Sequence, residues 1–472
     1  MTNDDTDGGV PARAPIPRGV AMAGLATAMF LVILDATMVN IAGSAIRASL
    51  GLTAAELAIV VGSYLVAFAG LLLLGGRLAD VLGARKAFLG GMALYLTATA
   101  LCALATGGAM LIATRIAQGI GAAVVIPSAL SLVLFLHPEP AERTRATGVW
   151  GAIAGIGSLL GVVLGGTLTE LLGWQAVFLA PIPFGVAGAL VVWRAVPPVP
   201  GRPGRFDVLG AVTITVGVSG LALGMVSAPG AGWAAPTTLL GLGLGLAALV
   251  AFVAVERRSA RPLVPLGVFR RRPVVTANLV MLLGGGTLAS LFFFLPQYQV
   301  EVLGMNAAAA GAAQLPLAGM IIVGSVGSPM LAKRIGLTRA QPVALAVLLA
   351  GFLWLALDQT ADGFSVSLLC AFVLIGTGLG LSVVNATAMA VRDSAEGEAG
   401  LLSGLVNAAQ QLGGAVVLAA LTGVAIGAAG TSGDISFTTA FAGEAALVLV
   451  ALTISLVSAT RARPAPAVAG AR

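Results

Sequence analysis

Long stretches without a charge dominate this chain. Residues 57–76 are uncharged between Glu56 and Arg77, and residues 87–114 are uncharged between Lys86 and Arg115. The run 208–255 is about twice the length of one membrane span. A helix crosses a bilayer with about 20 consecutive apolar residues. Lipid offers the backbone no hydrogen-bond partners, so a spanning segment must satisfy its own. Only 9% of the 472 residues are charged and 58% are hydrophobic, with a mean hydropathy of +1.03. Soluble domains carry about 25% charged residues, so this chain could not cover a water-facing surface. The reading is an all-α polytopic membrane protein.

Composition removes other classes. The charge is +6 and the pI about 10.1. In a soluble protein that would suggest nucleic acid, but here it reads as basic loops held at one membrane face, with no nucleic-acid partner. Cys102 and Cys370 both sit in apolar runs, which argues against a disulfide framework. His137 is the only histidine and no metal-ligand spacing occurs, so no metal and no cofactor is expected. No phosphate-binding loop is present to couple ATP.

Two long apolar runs divide at turn signals, Gly107-Gly108 and Ser227-Ala228-Pro229-Gly230-Ala231-Gly232. Fourteen spans result, near 20–42, 57–76, 87–105, 109–135, 147–169, 174–193, 208–226, 237–255, 274–297, 309–332, 340–357, 364–391, 401–427 and 437–460. An even number places both termini on one side. Of 25 basic residues, 23 fall in the termini and even-numbered loops; Arg115 lies inside a span and Arg47 in an odd-numbered loop. Glu56, Glu170, Glu301, Asp358, Asp362 and Asp434 occupy the opposite face. The positive-inside rule then makes both termini cytoplasmic, and a bacterial inner membrane is expected. The polar segment 1–19 and the Ala/Pro-rich segment 461–472 read as disordered cytoplasmic tails.

An internal repeat organises these spans. Leu78-Ala79-Asp80-Val81-Leu82-Gly83-Ala84-Arg85-Lys86 and Leu331-Ala332-Lys333-Arg334-Ile335-Gly336-Leu337-Thr338-Arg339 share a pattern at an offset of 253. Gly119-x-Gly121 matches Gly378-x-Gly380 at an offset of 259. Two six-helix halves, 20–194 and 273–460, would flank an inserted two-helix hairpin with basic loops at 195–272. Parallel repeats of this kind build transporters whose substrate site lies near the midplane between the halves.

Several motifs carry a family resemblance. Leu34-Asp35-Ala36-Thr37-Met38-Val39-Asn40-Ile41-Ala42 lies in span 1, Gly76-Arg77-Leu78-Ala79-Asp80-Val81-Leu82-Gly83-Ala84-Arg85-Lys86 follows span 2, and Arg115-Ile116-Ala117-Gln118-Gly119-Ile120-Gly121 lies in span 4. Tyr298, Val302-Leu303-Gly304, Gly311 and Leu315-Pro316 follow in spans 9–10. In order and spacing these resemble the major facilitator superfamily, specifically its fourteen-helix drug:proton antiporters. The chain departs from that pattern at Gly43-Ser44, where the family usually has a proline. It departs again at Val162, where the family's fifth-helix antiporter motif has Gly-Pro, and at Pro181, where an Asn is usual. The resemblance implies multidrug or antibiotic efflux by proton-coupled antiport, with Gly76, Arg77, Asp80, Gly83, Arg85 and Lys86 as a gating motif. In it Asp80 would latch the outward-facing state. The alternative for the bases is plain positive-inside topology.

Asp35 and Arg115 are ionisable residues deep in spans, and such residues are functional candidates. At 1.5 Å rise, Asp35 lies roughly 22 Å from the cytoplasmic face and Arg115 roughly 21 Å, so the two can meet. A carboxylate facing a guanidinium stays ionised, and one that loses this partner in low dielectric takes up a proton. That makes a proton switch; the bland alternative is a static ion pair orienting two helices. Glu444, about seven residues into span 14, is a second acidic candidate unless it is interfacial. Gly157, Gly161 and Gly165, with Gly166, form a small-residue stripe that lets span 5 approach its neighbours. Asn40, Gln118, Asn385, Asn407, Gln410 and Gln411 are polar and should face the bundle interior. Phe292, Phe293, Phe294 and Tyr298 could line an apolar pocket or face lipid.

The function these features imply is a monomeric, proton-coupled exporter of small amphipathic molecules. An exporter dedicated to one endogenous metabolite or self-made antibiotic is the alternative. Two lysines against 23 arginines suggest a high-GC bacterial genome, where antibiotic self-resistance is common. A membrane-embedded enzyme would need an acidic metal cluster or a nucleophile–base set, and none is visible. Two repeat halves with a charged latch suit alternating access better than a channel, and no soluble signalling domain suggests a sensor.

Overall fold

The computed structural model describes residues 18–461 except 138, 202–206, 260–261, 263, 265, 358–364, 393–398 and 431–434. Most of both expected tails, residues 1–17 and 462–472, lies outside the described residues, as do Asp358, Asp362, Asp434, Arg202, Arg205 and Arg261. Every regular element among the described residues is helical. Among the described residues thirteen helices are long and apolar enough to cross a membrane. The remaining expected span, the seventh, is the helix Val208–Ala231, whose apolar described stretch is Leu209–Met225. The fourteen expected spans therefore occur in order, in a multi-pass membrane protein.

Helix ends follow local chemistry. Span 1 begins at Arg18, inside the expected tail, and runs to Ile41; a short helix, Gly43–Leu50, follows almost without interruption. The ladder continues through Ala42 N to Met38 O and Ile46 N to Ala42 O, both 2.9 Å, because Gly43-Ser44 brings no proline to break it. Span 2 starts with a capping box. Glu56 Oε2 accepts from Thr53 N at 2.8 Å, and Thr53 Oγ1 accepts from Glu56 N at 3.2 Å. Spans 6 and 10 are each broken, at Ala180-Pro181 and at Gln314. A proline follows each break or forms it, and proline has no N–H for the ladder.

The expected loop after span 2 is a correction. Span 2 runs Ala54–Leu82, so Arg77 and Asp80 sit on its last turns and only Gly83, at φ +91°, makes the turn into span 3. Gly336 does the same after Leu315–Ile335, at φ +83°. The 253-residue repeat thus places a left-handed glycine at the same point in each half, where any side chain would be strained. The glycine match in spans 4 and 12 shifts register. A Cβ on Gly119 would lie 2.6 Å from Tyr64 O in span 2, and one on Gly121 2.7 Å from Tyr95 N in span 3. Their counterparts against spans 10 and 11 are Gly376, 2.6 Å from Leu317 O, and Gly378, 2.6 Å from Leu348 N. The equivalence runs at an offset of 257, because neighbour contact rather than local sequence fixes which glycine is needed.

Among the described residues the two halves meet chiefly where span 9 packs on span 1 and the helix after it, span 13 on span 2, and span 10 on span 5. The inserted hairpin packs its first helix against both span 2 and span 13. Thr215 Oγ1 donates to Gly70 O at 2.9 Å and holds it there. Within the hairpin Gly220 faces Gly245, a Cβ on the former reaching 2.8 Å from the latter's Cα. Span 8, Pro236–Arg258, is the most lipid-facing, with Leu240 71% exposed.

Candidate functional site

Asp35 and Arg115 are each 1% exposed, inside spans 1 and 4. Arg115 Nη1 donates to Asp35 Oδ2 at 2.7 Å, as their matched depths require. Gln118 is one helical turn from Arg115, on the same face. Its Oε1 accepts from Arg115 Nη1 at 2.6 Å, and its Nε2 donates to Asp35 Oδ1 and to Thr99 Oγ1, both at 2.9 Å. Both carboxylate oxygens are therefore engaged. The guanidinium carbon also lies 4.3 Å from the Tyr64 ring centroid, a cation–π contact from span 2. A buried charge pair needs hydrogen bonds of this kind to offset its desolvation, although Arg115 Nε has no partner.

This network borders a cavity of about 920 Å³ between the halves. Spans 1, 2 and 4 supply Asn40, Tyr64 and Arg115; spans 9 and 13 supply Phe292, Gln410 and Gln411. The span 5 glycines fit against span 1. A Cβ on Gly157 would lie 3.1 Å from Phe30 O, on Gly161 2.7 Å from Thr37 Cβ, and on Gly165 2.8 Å from Met38 Cα. Gly166 meets Ala307 of the segment leading into span 10. Gly155 and Ser158, on the same helix, line the cavity.

Not every candidate converges there. Gln118 belongs to the ion-pair network and does not line the cavity. Phe293 packs on Phe294, with ring centroids 5.2 Å apart, and Tyr298 packs on Phe437 and Phe441, each at 5.6 Å. Of the aromatic group only Phe292 reaches the cavity. Asn385 Oδ1 accepts from Ser328 Oγ at 2.8 Å, away from the cavity wall, and Asn407 is exposed. Glu444 is fully buried in span 14, with neither carboxylate oxygen hydrogen-bonded, and it does not line the cavity.

The 76–86 motif lies at the end of the bundle that carries the basic residues. Asp80 Oδ2 is 3.7 Å from Arg77 Nη1, one turn away on the same helix, and both are exposed. Gly76 approaches Pro127, Arg85 Nη2 donates to Trp193 O, and Gly83 abuts Val199 O; Lys86 is exposed. At the opposite end, Arg47 Nη1 donates to Glu301 Oε1 at 2.8 Å. Sequence reasoning missed this pair, although Arg47 stood out as the one base in an odd-numbered loop. Tyr64 was missed as well, being one aromatic in an apolar helix.

Comparison with known proteins agrees with this architecture. The Major Facilitator Superfamily profile matches residues 25–418. The cephamycin export protein CmcT of Amycolatopsis lactamdurans is 37% identical, over 93% of this chain and 92% of its own. The methylenomycin A resistance protein of Streptomyces coelicolor is 31% identical, over 89% of this chain and 90% of its own. The crystal structure of an auto-inhibited POT family peptide transporter superposes with a TM-score of 0.70 at 19% identity, over 96% of this chain and 98% of that one, a likeness of fold. A bundle of two six-helix halves around a central cavity, matched over nearly its whole length, places this chain in the major facilitator superfamily, as a membrane transporter and not an enzyme.

Proposed function

We propose that this protein is a proton-coupled antiporter that exports amphipathic drugs or antibiotics by alternating access. The observation that carries the reading is the buried Asp35–Arg115 pair at the wall of the central cavity. Asp35 exchanges a proton as its hold on Arg115 breaks and reforms, and Arg115 and Gln118 orient the carboxylate. The relatives named for cephamycin export and methylenomycin A resistance support the direction and class of cargo. The mainly apolar cavity supports an amphipathic one. Basic loops at one end support cytoplasmic termini, in the inner membrane of a bacterium. The protein works as a monomer.

The conformation fits an inward-facing state. At the acidic end Arg47 ties to Glu301, and Gly166 packs on Ala307 across the halves. At the basic end Asp80 pairs within its own helix. Asp80 would instead bind across the halves when the transporter faces outward, with the rest of the 76–86 motif.

The test is efflux across a compound panel, from cells lacking their own pumps, followed by proteoliposomes with an imposed pH gradient. Expected is reduced accumulation of several amphipathic compounds and uphill transport that stops when the gradient is collapsed. One exported compound alone would narrow the reading to a dedicated exporter. Uphill transport unaffected by collapse of the gradient would overturn proton coupling.

A further inference from the structure

Span 8 has two distinct faces. Thr238, Gly245, Ala248, Phe252 and Glu256 are buried, whereas Leu246, Val250 and Val253 are exposed. The exposed set falls at i, i+4 and i+7, a stripe turned to the bilayer, and Arg257, also exposed, is the next residue along it. From Pro236 to Arg257 the helix rises roughly 32 Å, close to the hydrocarbon thickness of about 30 Å, so Arg257 and Arg258 emerge at headgroup level. The connection to span 9 folds back on this end. Val264 N donates to Glu256 Oε2 at 3.0 Å, and Val264 and Val268 are buried with Phe252, Ala211 and Leu405. The 3-10 turn Leu266–Arg270 leaves Phe269 and Arg270 exposed beside each other. Among the described residues Arg257, Arg258 and Arg270 have no hydrogen bond and no ion pair, whereas Arg47, Arg77 and Arg115 each pair with a carboxylate.

We propose that Arg257, Arg258 and Arg270 bind the phosphates of anionic phospholipids in the leaflet at this basic end, with the acyl chains lying against the exposed stripe of span 8. A guanidinium presents paired N–H donors that match the oxygens of a phosphate. An acidic headgroup supplies the acceptors these three side chains lack and the opposite charge, and the helix below already carries the apolar surface that the chains need. A soluble anion would match the charge and leave the stripe unused. Positive-inside topology accounts for the side on which these bases lie, but not for Arg257 continuing a lipid-facing stripe. Each base close to an acidic leaflet strengthens attachment about fivefold. The binding needs no cargo and no pH gradient.

The experiment uses the purified full-length protein in an uncharged detergent at low salt. It is titrated with phosphatidylglycerol and with phosphatidylcholine of the same acyl chains, each labelled at a chain end, and with glycerol phosphate as the soluble headgroup. Phosphatidylglycerol should bind at least about tenfold more tightly than phosphatidylcholine. Most of that preference should vanish at about 1 M salt, where the screening length is about 3 Å. Arg257→Gln, Arg258→Gln and Arg270→Gln together should remove the preference and leave phosphatidylcholine binding unchanged. Lys333→Gln, Arg334→Gln and Arg339→Gln together remove the same charge from exposed positions around the end of span 10 and should leave the preference in place. All six side chains are exposed, so both triple variants should keep the wild-type melting temperature. Equal loss of preference in the two triple variants overturns the proposal, because net charge alone then explains the binding. A wild-type protein that binds both lipids alike overturns it too, as does displacement of phosphatidylglycerol by an equal concentration of glycerol phosphate, the mark of a soluble-anion site.

Discussion

Arg47 and Glu301 form an ion pair of 2.8 Å that joins the helix after span 1 to the end of span 9, and so joins one half of the transporter to the other. Their side chains are 21% and 31% exposed. Pairs with this much water around them contribute about 0.2–1 kcal/mol. Arg47→Ala should therefore shift the conformational balance by up to about fivefold toward the state in which this end is open. Spin labels on residues 50 and 305 would read it as a larger long-distance population. Combining Arg47→Glu with Glu301→Arg should restore the wild-type distribution. An unaltered distribution in Arg47→Ala would show that the pair does not hold the halves.

Gly161 and Gly165 set how closely span 5 approaches span 1. A methyl group on Gly161 meets Thr37 Cβ at 2.7 Å and Leu34 O at 3.1 Å, and one on Gly165 meets Met38 Cα at 2.8 Å and its carbonyl oxygen at 3.2 Å. Neither backbone nor a Cβ fixed to it can swing aside, so Gly161→Ala and Gly165→Ala should both be damaging. Overpacking of this kind costs about 1–3 kcal/mol. Gly319→Ala in span 10, with nothing within 4 Å, is the control and should be near neutral. Thermal unfolding in detergent gives the order. Equal melting temperatures for Gly165→Ala and Gly319→Ala would contradict the packing role.

Asp80 and Arg77 are 58% and 48% exposed and 3.7 Å apart. Asp80→Asn should change stability by less than about 0.5 kcal/mol, since exposed pairs contribute little. Transport should nonetheless fall if the proposed contact of Asp80 across the halves forms in the other conformation. Thermal stability and initial efflux rate, measured side by side, separate the two effects. Wild-type efflux by Asp80→Asn would reduce the motif to a topological signal.

The span count was legible because hydrocarbon imposes one demand, an uninterrupted apolar helix, and charges mark where it ends. The Asp35–Arg115 contact was legible for a similar reason, since two buried charges at one depth have few other partners. Helix rotation was not. Span 9 is apolar on all sides, so nothing in its pattern says that Phe292 faces the cavity while Phe293 packs on Phe294. Gln118 was readable only as a polar residue needing the interior; its place beside Asp35 depends on the span 1–span 4 crossing. Arg77 and Asp80 read as loop residues because charge ended the apolar run, yet helix propensity carried span 2 on to Leu82.

The coupling prediction follows from the 2.7 Å contact between Arg115 Nη1 and Asp35 Oδ2. Asp35→Asn keeps the shape and an acceptor for Arg115 but removes the proton-carrying group. It should abolish uphill efflux driven by a pH gradient while leaving substrate binding and downhill exchange measurable. Arg115→Ala should fail more broadly. Removing one partner of a buried pair leaves an uncompensated carboxylate and typically costs about 3–5 kcal/mol, so lower expression should accompany lost transport. Arg115→Lys keeps the charge but loses the planar guanidinium that lies over the Tyr64 ring, so it should recover transport only in part. The assay is efflux from proteoliposomes with an imposed pH gradient, read beside equilibrium binding of the same compound. If Asp35→Asn still concentrates that compound in response to the gradient, this carboxylate is not the essential proton carrier. Attention then passes to Glu444, fully buried in span 14 with both carboxylate oxygens unbonded.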